Sequence, residues 1–290
     1  MEMASDPLLE NLTIDRGRIA DLIAEGRLDH AAYRARHLAD RHADDAGCAA
    51  DARRVERLVE TDLPRDRPVA WAEAFRKALA ETDGSPVVTQ AVRRYLARGI
   101  ARSAEGAPGR AATVEGAPVG AYLLDADLPE EAAASLYAAL ATSPTNGIAA
   151  LFLANALLRL GRVEEARDNY RRAFRISPLD LSVEQIADDE VRELVELADE
   201  LEISGDVRIW LPAIGLLEDV LPFSALDPVP GAGFGDGTRA YDLLVAHKGA
   251  RSHRERTAIR RDLRELAPAL FDALLSSRKL DAAPTPTGTA

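Results

Sequence analysis

The chain has little cysteine and few aromatic residues. Cys48 is the one cysteine among 290 residues, and Phe, Trp and Tyr together make up 5% of the sequence. A single cysteine excludes an internal disulfide framework and any zinc site built from several cysteines. The core must therefore be built mainly from Ala, Leu, Val and Ile. One unpaired cysteine is also typical of a cytoplasmic protein.

Targeting signals and long apolar runs are missing as well. Residues 1–12 carry acidic side chains and lack a basic region followed by an apolar stretch, so we do not expect a secretory signal. A membrane helix needs roughly 18 consecutive apolar residues. The best candidate, residues 148–158, is interrupted by Asn155 and followed by Arg159. We predict a cytoplasmic protein with no membrane partner.

The charge balance is acidic. The chain has 36 Lys and Arg against 48 Asp and Glu, for a formal net charge of −12. Such a balance disfavours non-specific binding to nucleic acid or to an anionic membrane, and we predict no nucleic-acid partner. Only Lys77, Lys248 and Lys279 are lysines. We interpret this arginine bias as the composition of a GC-rich bacterial genome.

Helical periodicity dominates what is present, and strand signals are nearly absent. Hydrophobic residues at 47% and charged residues at 29% exclude wholesale disorder. Residues 103–118 are rich in Gly and Pro and form a loop or linker, our best domain boundary, although a long loop within one solenoid would look the same. The periodicity predicts helices over residues 14–25, 29–44, 50–61, 68–82, 86–104, 182–187, 189–203, 207–221, 238–245 and 253–275. We expect Pro212 in the first turn of the 207–221 helix and a break of the last helix at Pro268.

A 34-residue segment, 147–180, carries two apolar stripes joined by a turn. Its key positions are Leu153, Ala154, Leu157, Gly161, Ala166, Tyr170, Ala173 and Pro178. Residues three and four apart share a helix face, so the segment predicts two antiparallel helices that cross at Ala166. An ordinary helical hairpin would need the same stripes. The turn glycine and the terminal proline in register favour a repeat.

This pattern resembles the tetratricopeptide repeat (TPR) position by position. It departs at Ala150, where the family often has a large aromatic residue. Counting back 34 residues gives a weaker copy in which Asp127 replaces the turn glycine. The N-terminal hairpin gives a fainter one through Gly26. The further matching positions are Ala132, Leu136, Ala139 and Pro144 in the first copy, and Ala31, Ala35 and Leu38 in the second.

The resemblance implies an all-α fold, a helical-hairpin (TPR-like) α-solenoid with divergent flanking helices. We expect N-terminal helical hairpins over residues 1–105 and TPR-like repeats over 113–180. A C-terminal helical region follows over 181–280, and a disordered tail over 281–290, which is rich in Ala, Pro and Thr.

The resemblance also implies protein binding in a groove lined by the first helix of each repeat. In this register the groove positions are Ile148, Leu151, Asn155, Leu158 and Arg159. Asn155 could hydrogen-bond an extended peptide backbone, and Arg159 could meet a carboxylate. Some family members clamp a C-terminal carboxylate with several basic residues. The preceding repeat does not supply matching ones.

Two segments contain residue types that metal-binding or phosphate-binding sites use. Residues 37–48 bring together His, Asp and Cys, but His37 and His42 are five apart and lie on different helix faces, so we predict a solvated helix end and no metal. Residues 228–238 are glycine-rich without a phosphate-binding spacing, which favours a mobile connector. His247 and His253 flank a turn without a nucleophile beside them. We expect no catalytic residue and no cofactor.

Two stretches carry charge of one sign. Residues 188–206 are acidic and residues 251–264 are basic. The simplest interpretation is two solvated helix faces. The alternatives are a basic partner for the first stretch and an acidic partner or nucleic acid for the second, although acidic neighbours dilute the basic stretch and aromatic residues are missing from it.

Three functions fit these patterns. The first is a non-catalytic adaptor, scaffold or assembly factor that binds a protein or peptide in the TPR-like groove. The second is a ligand-binding or enzymatic C-terminal region, around Gly231–Gly237, His247 and Arg251, for which the repeat is a docking module. The third is a structural subunit of a larger complex, which an exposed Trp210 would favour. We predict the first.

Overall fold

A computed structural model describes residues 7–106, 113–201, 203, 205–221, 223 and 235–276. These residues form α-helices that pack in neighbouring pairs, which confirms the all-α class and the helical-repeat solenoid. The helices are α1 (Pro7–Ala24), α2 (Leu28–Arg41), α3 (Ala46–Glu60), α4 (Pro68–Ala80), α5 (Pro86–Gly106), α6 (Val119–Asp125), α7 (Pro129–Thr142), α8 (Gly147–Arg159), α9 (Val163–Ile176), α10 (Asp189–Glu200), α11 (Val207–Leu217), α12 (Gly235–Gly249), α13 (His253–Leu266) and α14 (Pro268–Ser276).

The chain divides into two compact units, Met1–Ala132 and Ala133–Ala290. This division falls inside α7. Part of the predicted linker forms a small antiparallel hairpin of β1 (Thr113–Val114) and β2 (Ala117–Pro118), in which Val114 is buried. Residues 107–112 of that linker, and the tail at 281–290, lie outside the described residues. The domain limits expected from sequence stay predictions.

The first unit is organised around α5. This helix packs against α1, α3, α4 and α6, while α2 pairs with α3. Where α4 contacts α5, the indole of Trp71 packs directly against Gly99. A Cβ at Gly99 would fall 1.9 Å from the indole ring, so only glycine fits. The tryptophan Nε1–H donates to the Pro64 carbonyl at 2.9 Å, which fixes the ring.

A buried polar cluster ties α1, α3 and the α4–α5 connection together. Arg54 is 3% exposed and donates to Glu81 at 3.0 Å and to Thr89 at 2.6 Å. The neighbouring carboxylate of Asp51 accepts from the Ser85 N–H at 2.8 Å and from Arg16 at 3.1 Å. Buried charges are costly unless they are paired and hydrogen-bonded, and these partners meet that demand.

The second unit is organised around α11, which is apolar on nearly all sides. It packs against α9, α10, α12 and α14. Trp210 of α11 is 7% exposed, so this side chain belongs to the core and gives no sign of a missing partner. The start of α12 crosses α11 closely: a Cβ at Gly237 would lie 2.4 Å from the Ile209 carbonyl oxygen. Gly235 and Gly237 of the predicted connector belong to α12. Residues 228–234 of that connector lie outside the described residues.

Two local predictions are wrong. Residues 182–187 do not form an α-helix; Pro178–Asp180 and Val183–Gln185 are single 3₁₀ turns. The backbone of this segment bonds to side chains of α8 and α9, and those bonds replace helical ones. Pro212 was expected in the first turn of its helix but is the sixth residue of α11, because the helix begins at Val207 behind the cap of Asp206. The predicted break at Pro268 separates α13 from α14.

Candidate functional site

The turn between α8 and α9 has a defined hydrogen-bond pattern. Gly161 has a φ of 74°, in the left-handed region that favours glycine. Its N–H donates to the Leu158 carbonyl at 2.9 Å, and the Arg162 N–H donates to the Leu157 carbonyl at 2.9 Å. These bonds satisfy the carbonyls left open at the end of α8 and reverse the chain into α9.

The same pattern occurs at two other places. Thirty-four residues earlier, Asp127 has a φ of 57°, and the Leu128 N–H donates to the Leu123 carbonyl at 3.0 Å. In the N-terminal hairpin, Gly26 has a φ of 74°, and the Arg27 N–H donates to the Leu22 carbonyl at 2.9 Å. An aspartate tolerates this backbone region better than most residues, which explains why it can replace the glycine.

The two helices of the hairpin meet through the small and apolar residues expected from the sequence. Leu153, Ala154 and Leu157 of α8 are all buried. Ala166, Tyr170 and Ala173 of α9 are fully buried opposite them. The stripes therefore form the hairpin interface, and the rest of α8 is left to contact other parts of the unit.

Asn155 is buried on α8 and holds the chain's own backbone. Its Nδ2 donates to the Gln185 carbonyl at 2.7 Å, and its Oδ1 accepts the Ala187 N–H at 3.2 Å. The hydroxyl of Tyr170 donates to the same Oδ1 and also accepts the Ala187 N–H at 3.1 Å. Burial raises the pKa of Tyr170 to about 12, so the phenol is neutral.

The segment after α9 is fixed at a second point by charge. Arg167 of α9 donates to the Asp188 carboxylate at 3.2 Å and pairs with Glu190 at 2.8 Å. Asp188 also caps α10 by accepting the N–H of Glu190 at 3.0 Å. Residues 186–188 thus form a short strap between the second 3₁₀ turn and α10. Asn155 and Tyr170 hold one end of it against the α8–α9 hairpin, and Arg167 holds the other.

The predicted groove residues differ in how deeply they are buried. Leu151 and Asn155 are buried, Ile148 and Leu158 are partly exposed, and Arg159 is exposed. Phe152, which the sequence reasoning missed, is also partly exposed. The partly or fully exposed residues of the described α8 are Ile148, Phe152, Leu158 and Arg159, which we call the α8 edge. The four-three-four spacing of residues 148, 152, 155 and 159 was a signal that could have identified Phe152.

In the predicted cysteine and histidine cluster, Asp45 and Cys48 lie at the beginning of α3. Asp45 caps α3 through the N–H groups of Gly47 and Cys48, at 2.8 and 3.2 Å. Although burial opposes it, these bonds and Arg16 lower the pKa of Asp45. Burial raises the pKa of the Cys48 thiol. Among the described residues no group of three or more His, Cys, Asp and Glu side chains is placed to hold a metal ion.

The two C-terminal histidines have different surroundings. His247 is buried on α12, and its Nε2 accepts a hydrogen bond from Arg260 Nε at 3.0 Å. His253 is exposed at the beginning of α13. Arg251 is exposed just before that helix, where its backbone N–H donates to Glu255. The described part of this region therefore gives His247 a packing role.

Comparison with known proteins places the repeat within one family. The model of the tetratricopeptide repeat matches residues 123–179, which run from within α6 through α7, α8 and α9. The comparisons found no matching curated protein and no matching solved structure. Within the described residues, no helix has both the length and the apolar character needed to cross a membrane. Residues 123–179 of this chain therefore carry a tetratricopeptide-repeat segment.

Proposed function

We propose that this protein is a non-catalytic adaptor, scaffold or assembly factor that binds a partner protein or peptide at the α8 edge. Its tetratricopeptide repeat marks it as a protein-interaction module at the general level. The observation that carries the finer proposal is that α8 is otherwise buried, yet keeps Ile148, Phe152, Leu158 and Arg159 at least partly open to solvent. The single buried cysteine and the arginine-rich composition support a bacterial, cytoplasmic setting.

The five residues proposed from sequence would then act at two levels. Ile148, Leu158 and Arg159 would contact the partner, with Phe152 added to them. Leu151 and Asn155 are buried beneath these residues and would support them from below. The side-chain amide of Asn155 is already hydrogen-bonded to the backbone of residues 185 and 187. Exposed apolar side chains beside an arginine suit a partner segment that carries apolar residues and a carboxylate.

The test is an affinity capture from lysate of the source organism, read by mass spectrometry. We compare the wild type with Phe152→Ser/Arg159→Glu and with the control Glu164→Lys, an exposed residue of α9. We expect one set of proteins to be captured by the wild type and the control and lost by the edge variant. Circular dichroism must show that the edge variant is folded. Equal capture by all three proteins would contradict the proposal.

A further inference from the structure

Helix α13 presents one edge of arginines to solvent. Leu263 is the fully buried residue of this helix. Arg254, Arg261 and Arg264 are exposed, and with Thr257 they recur at spacings of three, four and three residues, so they share one side of the helix. The Arg264 guanidinium lies 5.8 Å from the ring centre of Phe271, a residue of α14. We call Arg254, Arg261 and Arg264 the arginine edge.

Helix α10 presents the opposite charge in the same unit. Val191, Leu194 and Ala198 are buried toward α11, and the outward stripe is Asp189, Glu193, Glu196 and Glu200. We call these four residues the acidic stripe. Like charges three and four residues apart on a helix destabilise it. Arg192 pairs with Asp189 at one end, and the stripe continues for two further turns beyond that pair.

The spacings of the two surfaces match. Arg254 and Arg261 are seven residues apart, which is about 10.5 Å along a helix at 1.5 Å per residue. Glu193 and Glu200 are also seven residues apart, so the same distance separates them. Two helices lying side by side can therefore form both arginine–carboxylate pairs at once.

We propose that the arginine edge of α13 docks the acidic stripe of α10 in a second copy of this chain. Each copy carries both surfaces, so a two-fold arrangement would use each of them once and close a dimer. The occupant is inferred from charge complementarity together with the equal spacing. Nucleic acid fits less well, because Asp262 and Glu265 flank the arginines and the chain carries a net charge of −12.

The contact is electrostatic and exposed, so it is sensitive to salt. Screening lengths shorten from about 30 Å at 0.01 M salt to about 8 Å at 0.15 M. Exposed ion pairs between long side chains are individually weak. The dimer should therefore form at low ionic strength and dissociate as salt is added, whereas an apolar interface would persist.

The test is sedimentation velocity of the full chain over a series of salt concentrations. We expect the wild type to dimerise at low salt, and both Arg254→Glu/Arg261→Glu and Glu193→Arg/Glu200→Arg to be monomeric there. The control Arg65→Glu/Arg67→Glu changes two exposed arginines of the other unit and the formal charge by the same −4; its dissociation constant should stay within a few-fold of the wild type, against a rise of about tenfold or more in the α13 variant.

Mixing the two reversed variants gives the decisive measurement. The first variant carries acidic α10 and acidic α13, and the second carries basic α10 and basic α13, so the heterodimer alone is complementary at both contacts. Restored dimerisation in the mixture supports the proposal, since two unfolded variants would not recover. A wild type that is monomeric at low salt, an association equally weakened in the control, or a mixture that stays monomeric would overturn it.

Discussion

Asp127 and Gly161 occupy the same left-handed backbone position 34 residues apart, with φ angles of 57° and 74°. Both residues end a first helix and are followed by an N–H that bonds five residues back, at 3.0 and 2.9 Å. The repeat is therefore defined by backbone geometry as well as by side-chain type. At Asp127 the residue type departs from the repeat, but the backbone adopts the same left-handed conformation as at Gly161.

Gly161→Ala should reduce the free energy of unfolding by about 1–2 kcal/mol. No neighbouring atom lies within 4 Å of the added Cβ, so the cost is conformational. Urea unfolding followed by circular dichroism measures it. The matched control is Gly17→Ala in the interior of α1, which also meets open space and should stabilise the chain by about 0.5–1 kcal/mol. Equal effects of the two substitutions would contradict the turn assignment.

Gly99→Ala should destabilise the first unit by about 1–3 kcal/mol or more, because the added methyl group overlaps the Trp71 ring. The indole must move, so its fluorescence should change with the stability. The combined variant with Trp71→Leu should cost less than the sum of the single changes, since the smaller side chain removes the overlap. Strictly additive costs would show that the two residues do not meet.

Asn155→Ala should cost about 1–3 kcal/mol, because it leaves the Gln185 carbonyl without its amide donor and weakens the hold on Ala187. Hydrogen exchange locates the effect: the Ala187 N–H should lose protection while the α8–α9 hairpin keeps it. Tyr170→Phe retains the Asn155 amide and should release Ala187 less. Unchanged protection at Ala187 in Asn155→Ala would contradict the strap described above.

Tyr170 predicts a loss of stability at high pH. Burial raises its pKa in the folded protein to about 12, against about 10 in the unfolded chain. The folded state thus binds the phenolic proton more tightly. The stabilisation that this tighter proton binding gives the folded protein is complete below pH 10. It is lost as pH rises from about 10 to 12, which lowers the free energy of unfolding by about 2–3 kcal/mol in all. Urea midpoints over this range should fall more steeply for the wild type than for Tyr170→Phe.

Much of the fold could be predicted from local patterns. The helices from α1 to α5, the hairpin of α8 and α9 and the break at Pro268 follow from apolar spacing and from Gly and Pro at helix ends. These signals act over a few residues, so they are readable in one dimension. The TPR assignment rests on the same kind of signal and is confirmed by the family match at residues 123–179.

The candidate site was only partly predictable. Its residues were placed on α8 correctly, but their depths were not, because exposure depends on which distant segment lies on the helix. Asn155 has a polar side chain at a groove position, and nothing in its neighbourhood along the chain shows that residues 185–187 come back to bind it. The same contact explains why residues 182–187 are not helical.

By itself, the sequence determined the helical class, the repeat and its turns, and the opposite charges of α10 and α13. Those features depend on residue type and short spacing, through steric limits on the backbone and the pairing of apolar faces. Tertiary structure alone decided that Trp210 is core, that Asn155 binds the chain's own backbone and that Phe152 belongs to the α8 edge. In each case, contacts with residues far along the chain decide whether the side chain is buried or exposed to water.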